Sequence, residues 1–407
     1  MDIKLTAPSA IEAEITLPFS KSISNRVLLI NRLCNNNIPV QNIAVCDDTR
    51  IMLEATTSHN TYLDTGSAGT ATRFVAALLT LLDGRHTLTG SERMKQRPIG
   101  VLVDSLRSLG ANIRYSEHEG FLPLEIDGGH LRGGEIDVSG SISSQYISAL
   151  LMIAPYTNQG VKLTLTGKII SRPYINMTLS LMKRYGVEAV VGDNIITVPA
   201  MKYNHIPYTI EADWSAASYW YGFVALADAA DIILDGLDCD SLQGDSNVAS
   251  LFAPLGVATE YNDGYIRLRK CNAACGLYEA DLTDTPDLAQ TMVVVAALKG
   301  FRFRLSGLQS LKIKETDRIA ALVCEMKKLG YILDDSVDGV LSWDGYRGDV
   351  CRKPQISTYD DHRMAMAFSM ASFVVPEIRI CDAEVVSKSY PQFWKDLSQV
   401  GFIIEKQ

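Results

Sequence analysis

Histidine and cysteine are scarce in this chain and nowhere clustered, which removes two broad kinds of chemistry at the outset. The six histidines are dispersed and no G-x-S-x-G elbow accompanies them, so a serine or cysteine nucleophile served by histidine finds no support. The eight cysteines, at 34, 46, 239, 271, 275, 324, 351 and 381, form no C-x-x-C pair, and the one close pair, Cys271 and Cys275, has no histidine beside it. Reduced, buried thiols are therefore expected, with no metal site. The N-terminus lacks a basic segment followed by an apolar one, and stretches such as Phe74–Leu82 fall far short of a membrane span; a cytoplasmic protein without an export signal is expected. Positive charge is also short. A net charge of −9 argues against nucleic acid or an anionic membrane as partner, but leaves room for small anions held by local clusters of Lys and Arg. What the chain does have is length and apolar content: 407 residues, 47% hydrophobic and 21% charged, enough for two domains of about 200 residues each.

A repeat runs through the chain. A helical stretch ending in a turn glycine and followed by an apolar residue recurs as Leu106–Ala111, Met182–Val187, Phe252–Val257, Met326–Tyr331 and Leu397–Phe402. Its glycines, at 110, 186, 256, 330 and 401, are 76, 70, 74 and 71 positions apart. A second phrase, a polar cluster leading into a long apolar helix, interleaves with it at Ser20–Leu33, Ser67–Leu82, Ser141–Ala154, Asp213–Ala227, Asp284–Leu298 and Asp360–Ser372. Six units follow, the first roughly 25 residues short because Thr56–Tyr62 stands where a glycine phrase belongs. Alternation in Val161–Leu165 and Phe301–Leu305 predicts strands, and the spacing in Ile319–Leu329 predicts a helix. Units of about 72 residues exceed solenoid periods, so three units per domain are expected rather than a linear array.

The polar clusters sit where helices begin, and a helix N-terminus offers free N–H groups and partial positive charge to a phosphate or carboxylate. Gly66-Ser67-Ala68-Gly69-Thr70 reads either as an ordinary cap or as an anion-binding turn. It is neither a Walker sequence nor a G-x-G-x-x-G loop. Fixed cations come from Lys21 and Arg26, from Arg93, Lys95 and Arg97, from Lys314 and Arg318, and from Arg363 and Lys388. Each could be a solvated, charge-paired helix start, but their recurrence at equivalent points of the repeat argues for convergence on one cleft. His362 either orients its neighbours or transfers protons; the sequence leaves both open.

At these residues the chain resembles the enolpyruvyl transferases, and among them the 3-phosphoshikimate 1-carboxyvinyltransferases. Lys21-Ser22, Gly66–Arg73, Arg97–Gly100, Ser143-Ser144-Gln145, Lys314–Arg318 and Asp361–Ala365 stand in family order between Ser20 and Pro391. The resemblance implies an α/β fold of two domains, each of three βαβαββ units, with the active site in the interdomain cleft. The domains would span 20–212, and 1–19 plus 213–407. It implies enolpyruvyl transfer from phosphoenolpyruvate to the 5-hydroxyl of shikimate 3-phosphate, in chorismate and aromatic amino acid biosynthesis, by a monomer without cofactor. Carried over residue by residue, Ser22, Arg26, Ser143, Ser144, Ser171, Tyr174, Asp287 and Lys314 fall on the shikimate 3-phosphate side. Lys21, Gly69, Arg97, Gln145, Arg318, Arg363 and Lys388 fall on the phosphoenolpyruvate side. Glu315 would exchange the C3 proton and Asp287 would take the proton of the attacking hydroxyl, with Lys21 assisting; Asp287 also reads as a helix N-cap. Three positions depart from the pattern: Ser67 and Ser310 stand where Asn is common, and Phe74 where Pro is. The sister enzymes acting on UDP-N-acetylglucosamine commonly carry a cysteine in the loop that here reads Gly90–Gly100, and this loop has none. A catalytically inactive binding module on the same fold would be expected to lose a carboxylate or a cation, and Asp287, Glu315, Arg97 and Arg363 are all present.

Overall fold

The recurring glycines end helices. In the computed structural model, which describes every residue except Asn36, His130 and Cys275, Gly110, Gly186, Gly256, Gly330 and Gly401 all have positive φ. Four are followed by a reach-back bond: Ala111 N donates to Leu106 O (3.0 Å), Val187 N to Met182 O (2.9 Å), Tyr331 N to Met326 O (2.9 Å) and Phe402 N to Leu397 O (3.1 Å). That six-to-one closure with a left-handed residue satisfies the last helical carbonyls, and it is what glycine permits at least cost. The repeated phrase is thus a stop signal used once per unit.

The six polar phrases start the six apolar helices Lys21–Leu33, Gly69–Leu79, Ser144–Ile153, Trp214–Leu226, Ala289–Leu298 and His362–Ser369. Ala289–Leu298 is buried at every position, as a helix apolar all round must be. The strands alternate instead: Val161–Thr166 and Arg302–Ser306 bury every second residue, so each sheet keeps one wet face.

By its internal contacts the chain divides into two compact units, Phe19–Ile210 and Met1–Pro18 with Glu211–Gln407. In the first, helices Lys21–Leu33, Gly69–Leu79 and Ser144–Ile153 pack on one another. Its sheets run, in spatial order, Tyr62–Asp64, Gly84–Thr89, Leu124–Gly128, Asn112–Tyr115, and Val190–Val191, Ile195–Val198, Val161–Thr166, Gly134–Ser139. In the second unit, Trp214–Leu226, Ala289–Leu298 and His362–Ser369 pack together, around a core that includes Trp214, Trp220 and Phe223. Three sheets surround these helices, of four, three and four strands.

The second and third repeats are complete βαβαββ motifs: a parallel pair crossed over by a helix, then a second helix and an antiparallel hairpin. Tyr62–Asp64 runs parallel to Gly84–Thr89, which then pairs antiparallel with Leu124–Gly128. The short first repeat is visible as the two-stranded remnant Val40–Gln41 with Tyr208–Thr209. Helix Asp47–Thr57 leads directly to Tyr62–Asp64 with no hairpin between, so the segment missing from the sequence is the pair of outer strands.

Candidate active site

In the unit Phe19–Ile210, Arg26 meets hydroxyls and carbonyls rather than acids. Ser20 caps helix Lys21–Leu33, its Oγ accepting from Ile23 N at 3.4 Å, and the first turn carries no acidic residue. One turn on, the buried Arg26 donates to Thr178 Oγ1 (2.8 Å), Ser148 Oγ (3.1 Å), Ser22 O (2.8 Å) and Tyr174 O (3.3 Å). The Phe74 and Tyr174 rings lie 5.4 and 5.9 Å from its guanidinium. Burial pushes Arg26 down to about 10, which leaves it fully charged at neutral pH. A buried cation paired with no carboxylate among the described residues costs free energy, and an incoming anion would recover it.

The other two helix starts of this unit are tied to each other. Ser143 Oγ accepts from Gln145 N (3.3 Å), and Gln145 Nε2 donates to Thr70 Oγ1 (3.1 Å), joining Ser144–Ile153 to Gly69–Leu79. A β-carbon on Gly69 would lie 2.7 Å from Arg97 Nη1, so only glycine lets this buried guanidinium lie against the helix start. Arg73, absent from the sequence-based set, donates to Gly69 O (3.2 Å), Met94 Sδ (3.0 Å) and Pro98 O (3.2 Å), and so clamps the glycine turn to the loop that carries Arg97. Lys21 is paired with Asp48 at 3.0 Å. Ser171 precedes helix Arg172–Arg184 with φ of 53°.

In the other unit the geometry centres on Asp287. Arg363 Nη2 reaches Asp287 Oδ2 at 2.8 Å and Arg318 Nη1 reaches Oδ1 at 3.2 Å, with Lys314 Nζ 3.9 Å from Oδ1. Arg318 also holds Glu315 Oε2 (2.8 Å) and Asp361 (2.7 and 3.3 Å), so three carboxylates share one buried guanidinium. Burial alone would raise the Asp287 carboxyl. Arg363, Lys314 and Arg318 outweigh it, against Glu315, and hold the group well below the usual carboxylate range. Asp287 lies in a 3-10 turn and helix Ala289–Leu298 has no side-chain cap, so the N-cap reading fails; the carboxylate is held by arginines. Asp361 does cap its helix, accepting from Arg363 N at 2.9 Å, which aims the Arg363 side chain. His362 is buried, with Nδ1 3.8 Å from Asp361 Oδ1. Lys388 joins this group through Asp360, donating to its carbonyl at 2.8 Å and to its Oδ2 at 3.2 Å.

The structure adds Asp245, which no motif of the sequence marks. It is buried in a 3-10 turn, accepts from Ser215 Oγ, and its Oδ1 has no hydrogen-bond partner among the described residues. Burial first, and then the Asp287 charge, push it up to about 7 despite Arg363. The only signal in sequence is a lone acid after glycine, Gln243-Gly244-Asp245, indistinguishable from a surface turn.

The architecture and clusters now have a counterpart among known proteins. The family model for EPSP synthase (3-phosphoshikimate 1-carboxyvinyltransferase) matches residues 54–397. A 3-phosphoshikimate 1-carboxyvinyltransferase of Bacteroides fragilis is 54% identical over 402 residues, covering 98% of each chain. That of Shewanella halifaxensis is 34% identical, covering 98% of this chain and 99% of its own. The chain belongs to the EPSP synthase family. An EPSP synthase structure from Acinetobacter baumannii superposes on the whole of both chains with a TM-score of 0.77 at 20% identity, so the EPSP synthase fold persists where most of the sequence does not. Among the departures, Phe74 is fully buried under the Arg26 guanidinium, and Ser67 Oγ lies 3.0 Å from Ser91 Oγ.

Proposed function

We propose that this protein transfers the enolpyruvyl group of phosphoenolpyruvate to the 5-hydroxyl of shikimate 3-phosphate and releases inorganic phosphate. The observation that carries the reading is full-length identity of 54% to a 3-phosphoshikimate 1-carboxyvinyltransferase. The reaction needs a proton delivered to C3 of the enol, a hydroxyl deprotonated as it attacks C2, and the reverse proton traffic as phosphate leaves. Glu315 exchanges the C3 proton and Asp287 takes the hydroxyl proton, with Lys21 assisting. Lys21, Arg97, Arg318, Arg363 and Lys388 hold the phosphoenolpyruvate anion with Gly69 and Gln145. Ser22, Arg26, Ser143, Ser144, Ser171, Tyr174 and Lys314 hold shikimate 3-phosphate.

The Asp287 environment supports this division of labour. A carboxylate gripped by two arginines is a poor base. An anion that draws Arg363 and Arg318 toward itself weakens that grip, and Asp287 gains proton affinity when the substrate arrives. As an enzyme of aromatic amino acid biosynthesis the protein would act in the cytoplasm.

The test is phosphate release from phosphoenolpyruvate with and without shikimate 3-phosphate. Release that depends on the acceptor is expected, and Glu315→Gln and Asp287→Asn should each lower kcat by about 10²- to 10⁴-fold. Release with UDP-N-acetylglucosamine instead would transfer the protein to the sister activity, and no release with either would mark an inactive module.

A further inference from the structure

One buried acid in the second unit has no part in the reaction just described. Glu325 is fully buried, on helix Arg318–Lys328, seven residues and so two turns beyond Arg318 on the same face. Its Oε1 accepts from Tyr359 Oη at 2.6 Å, and its Oε2 from Ser357 N at 3.1 Å and Lys328 Nζ at 2.6 Å. Lys328 in turn donates to Gln355 O at 2.9 Å. The segment leading into helix His362–Ser369 is therefore fastened to one helix, Ser357 and Tyr359 by the Glu325 carboxylate and Gln355 by Lys328.

That segment needs fastening. Tyr359 and Asp360 have φ of 56° and 54°, two successive non-glycine residues in a region that side chains disfavour, at about 1–3 kcal/mol each. Such a turn persists only where its surroundings over-determine it. The turn has a consequence one residue on. It presents Asp360 O to Lys388 Nζ, and it delivers Asp361 to cap the helix, accept from Arg363 N and receive Arg318 Nε. The helix Arg318–Lys328 thus grips the same leader at two points, Arg318 on Asp361 and Glu325 on Ser357 and Tyr359.

We infer that Glu325 and Tyr359 are positioning residues for phosphoenolpyruvate, holding the left-handed turn that sets Arg318, Arg363 and Lys388. The inference rests on the assignment of those three cations to phosphoenolpyruvate. Neither residue touches substrate; they act through the turn. Loss of the Tyr359 hydroxyl or of the Glu325 charge lets the turn relax and disperses the cations. The binding of phosphoenolpyruvate weakens, while the Arg26, Ser143 and Ser144 contacts proposed for shikimate 3-phosphate are untouched.

The experiment is steady-state kinetics on Tyr359→Phe, Glu325→Gln and, as a reference, Arg363→Lys, each with its thermal melt. Tyr359 is 39% exposed, so Tyr359→Phe keeps the fold even if Glu325→Gln does not. In both variants the KM for phosphoenolpyruvate is expected to rise about tenfold, the loss of one charge-assisted hydrogen bond, with the KM for shikimate 3-phosphate within about twofold. A purely structural role would lower the melting temperature and leave both KM values unchanged in the folded enzyme. An unchanged phosphoenolpyruvate KM in Tyr359→Phe, beside a raised one in Arg363→Lys, overturns the positioning role alone. An unchanged value in Arg363→Lys as well overturns the assignment of the cations, and the inference with it.

Discussion

Asp245 shows how much a single residue can depend on surroundings its sequence does not announce. Its carboxyl ordinarily titrates near 3.8, and here it is pushed up to about 7 by burial and by Asp287. The native state therefore binds one more proton than the unfolded chain between about pH 4 and pH 7, and stability falls as pH rises through that window. Glu211 and Asp396 are also raised by burial and contribute the same sign, so the comparison must be with a variant. Asp245→Asn keeps an acceptor for Ser215 and removes the titration. Its advantage over the native chain should grow from pH 5 to pH 8, reaching about 2–4 kcal/mol, read from denaturant midpoints at each pH; parallel curves would show that Asp245 stays ionised. The cations, by contrast, were legible in the sequence, because Lys21, Arg97, Lys314 and Arg363 stand at helix starts that recur with the repeat. Nothing periodic marks Asp245, whose neighbours Asp287 and Arg363 come to it only through the fold.

At the scale of the element, what is long and uniform could be read, and what is short could not. The six apolar helices and the glycine stops were legible because each carries many residues of one pattern. Val40–Gln41 and Tyr208–Thr209 could not be read, since two residues define no period. The start of Ala289–Leu298 also departs from the sequence phrase, which begins at Asp284, because Pro286–Leu288 forms a 3-10 turn first. A close approach between elements is equally silent in sequence. Gly128 ends strand Leu124–Gly128, and a β-carbon there would lie 1.9 Å from Leu82 O and 2.3 Å from Leu79 O, at the end of helix Gly69–Leu79. Both obstacles are backbone and cannot rotate away, so Gly128→Ala forces the strand off the helix. A loss of more than about 3 kcal/mol is expected, measured by chemical denaturation. A near-neutral result would mean that the strand end shifts without consequence.

The whole molecule is threaded so that the second unit is built from both ends of the chain. Ile3–Thr6 lies between Ile378–Ile380 and Ile403–Lys406, and Ala10–Thr16 runs parallel to Ala229–Asp235 over seven residues. Composition gives no hint of this; only the resemblance places residues 1–19 with the second half, since a short alternating strand is compatible with any sheet edge. The threading makes the two units unequal in isolation. Phe19–Ile210 is one continuous segment whose two complete sheets need no strand from elsewhere, and produced alone it should melt cooperatively by circular dichroism. Glu211–Gln407 alone lacks an inner strand of one four-stranded sheet and one of the two partners of Ala229–Asp235, leaving edges unpaired and apolar faces bare, and should be molten or aggregated. Gln407 N donates to Asp2 O at 3.0 Å, so a short linker can join the C-terminus to Met1. A permuted chain running 211–407, linker, 1–18 restores both strands and should recover a cooperative melt. If 211–407 folds equally well without the N-terminal strands, the pairing of Ile3–Thr6 and Ala10–Thr16 adds register but little stability, and the unit's core of Trp214, Trp220 and Phe223 suffices by itself.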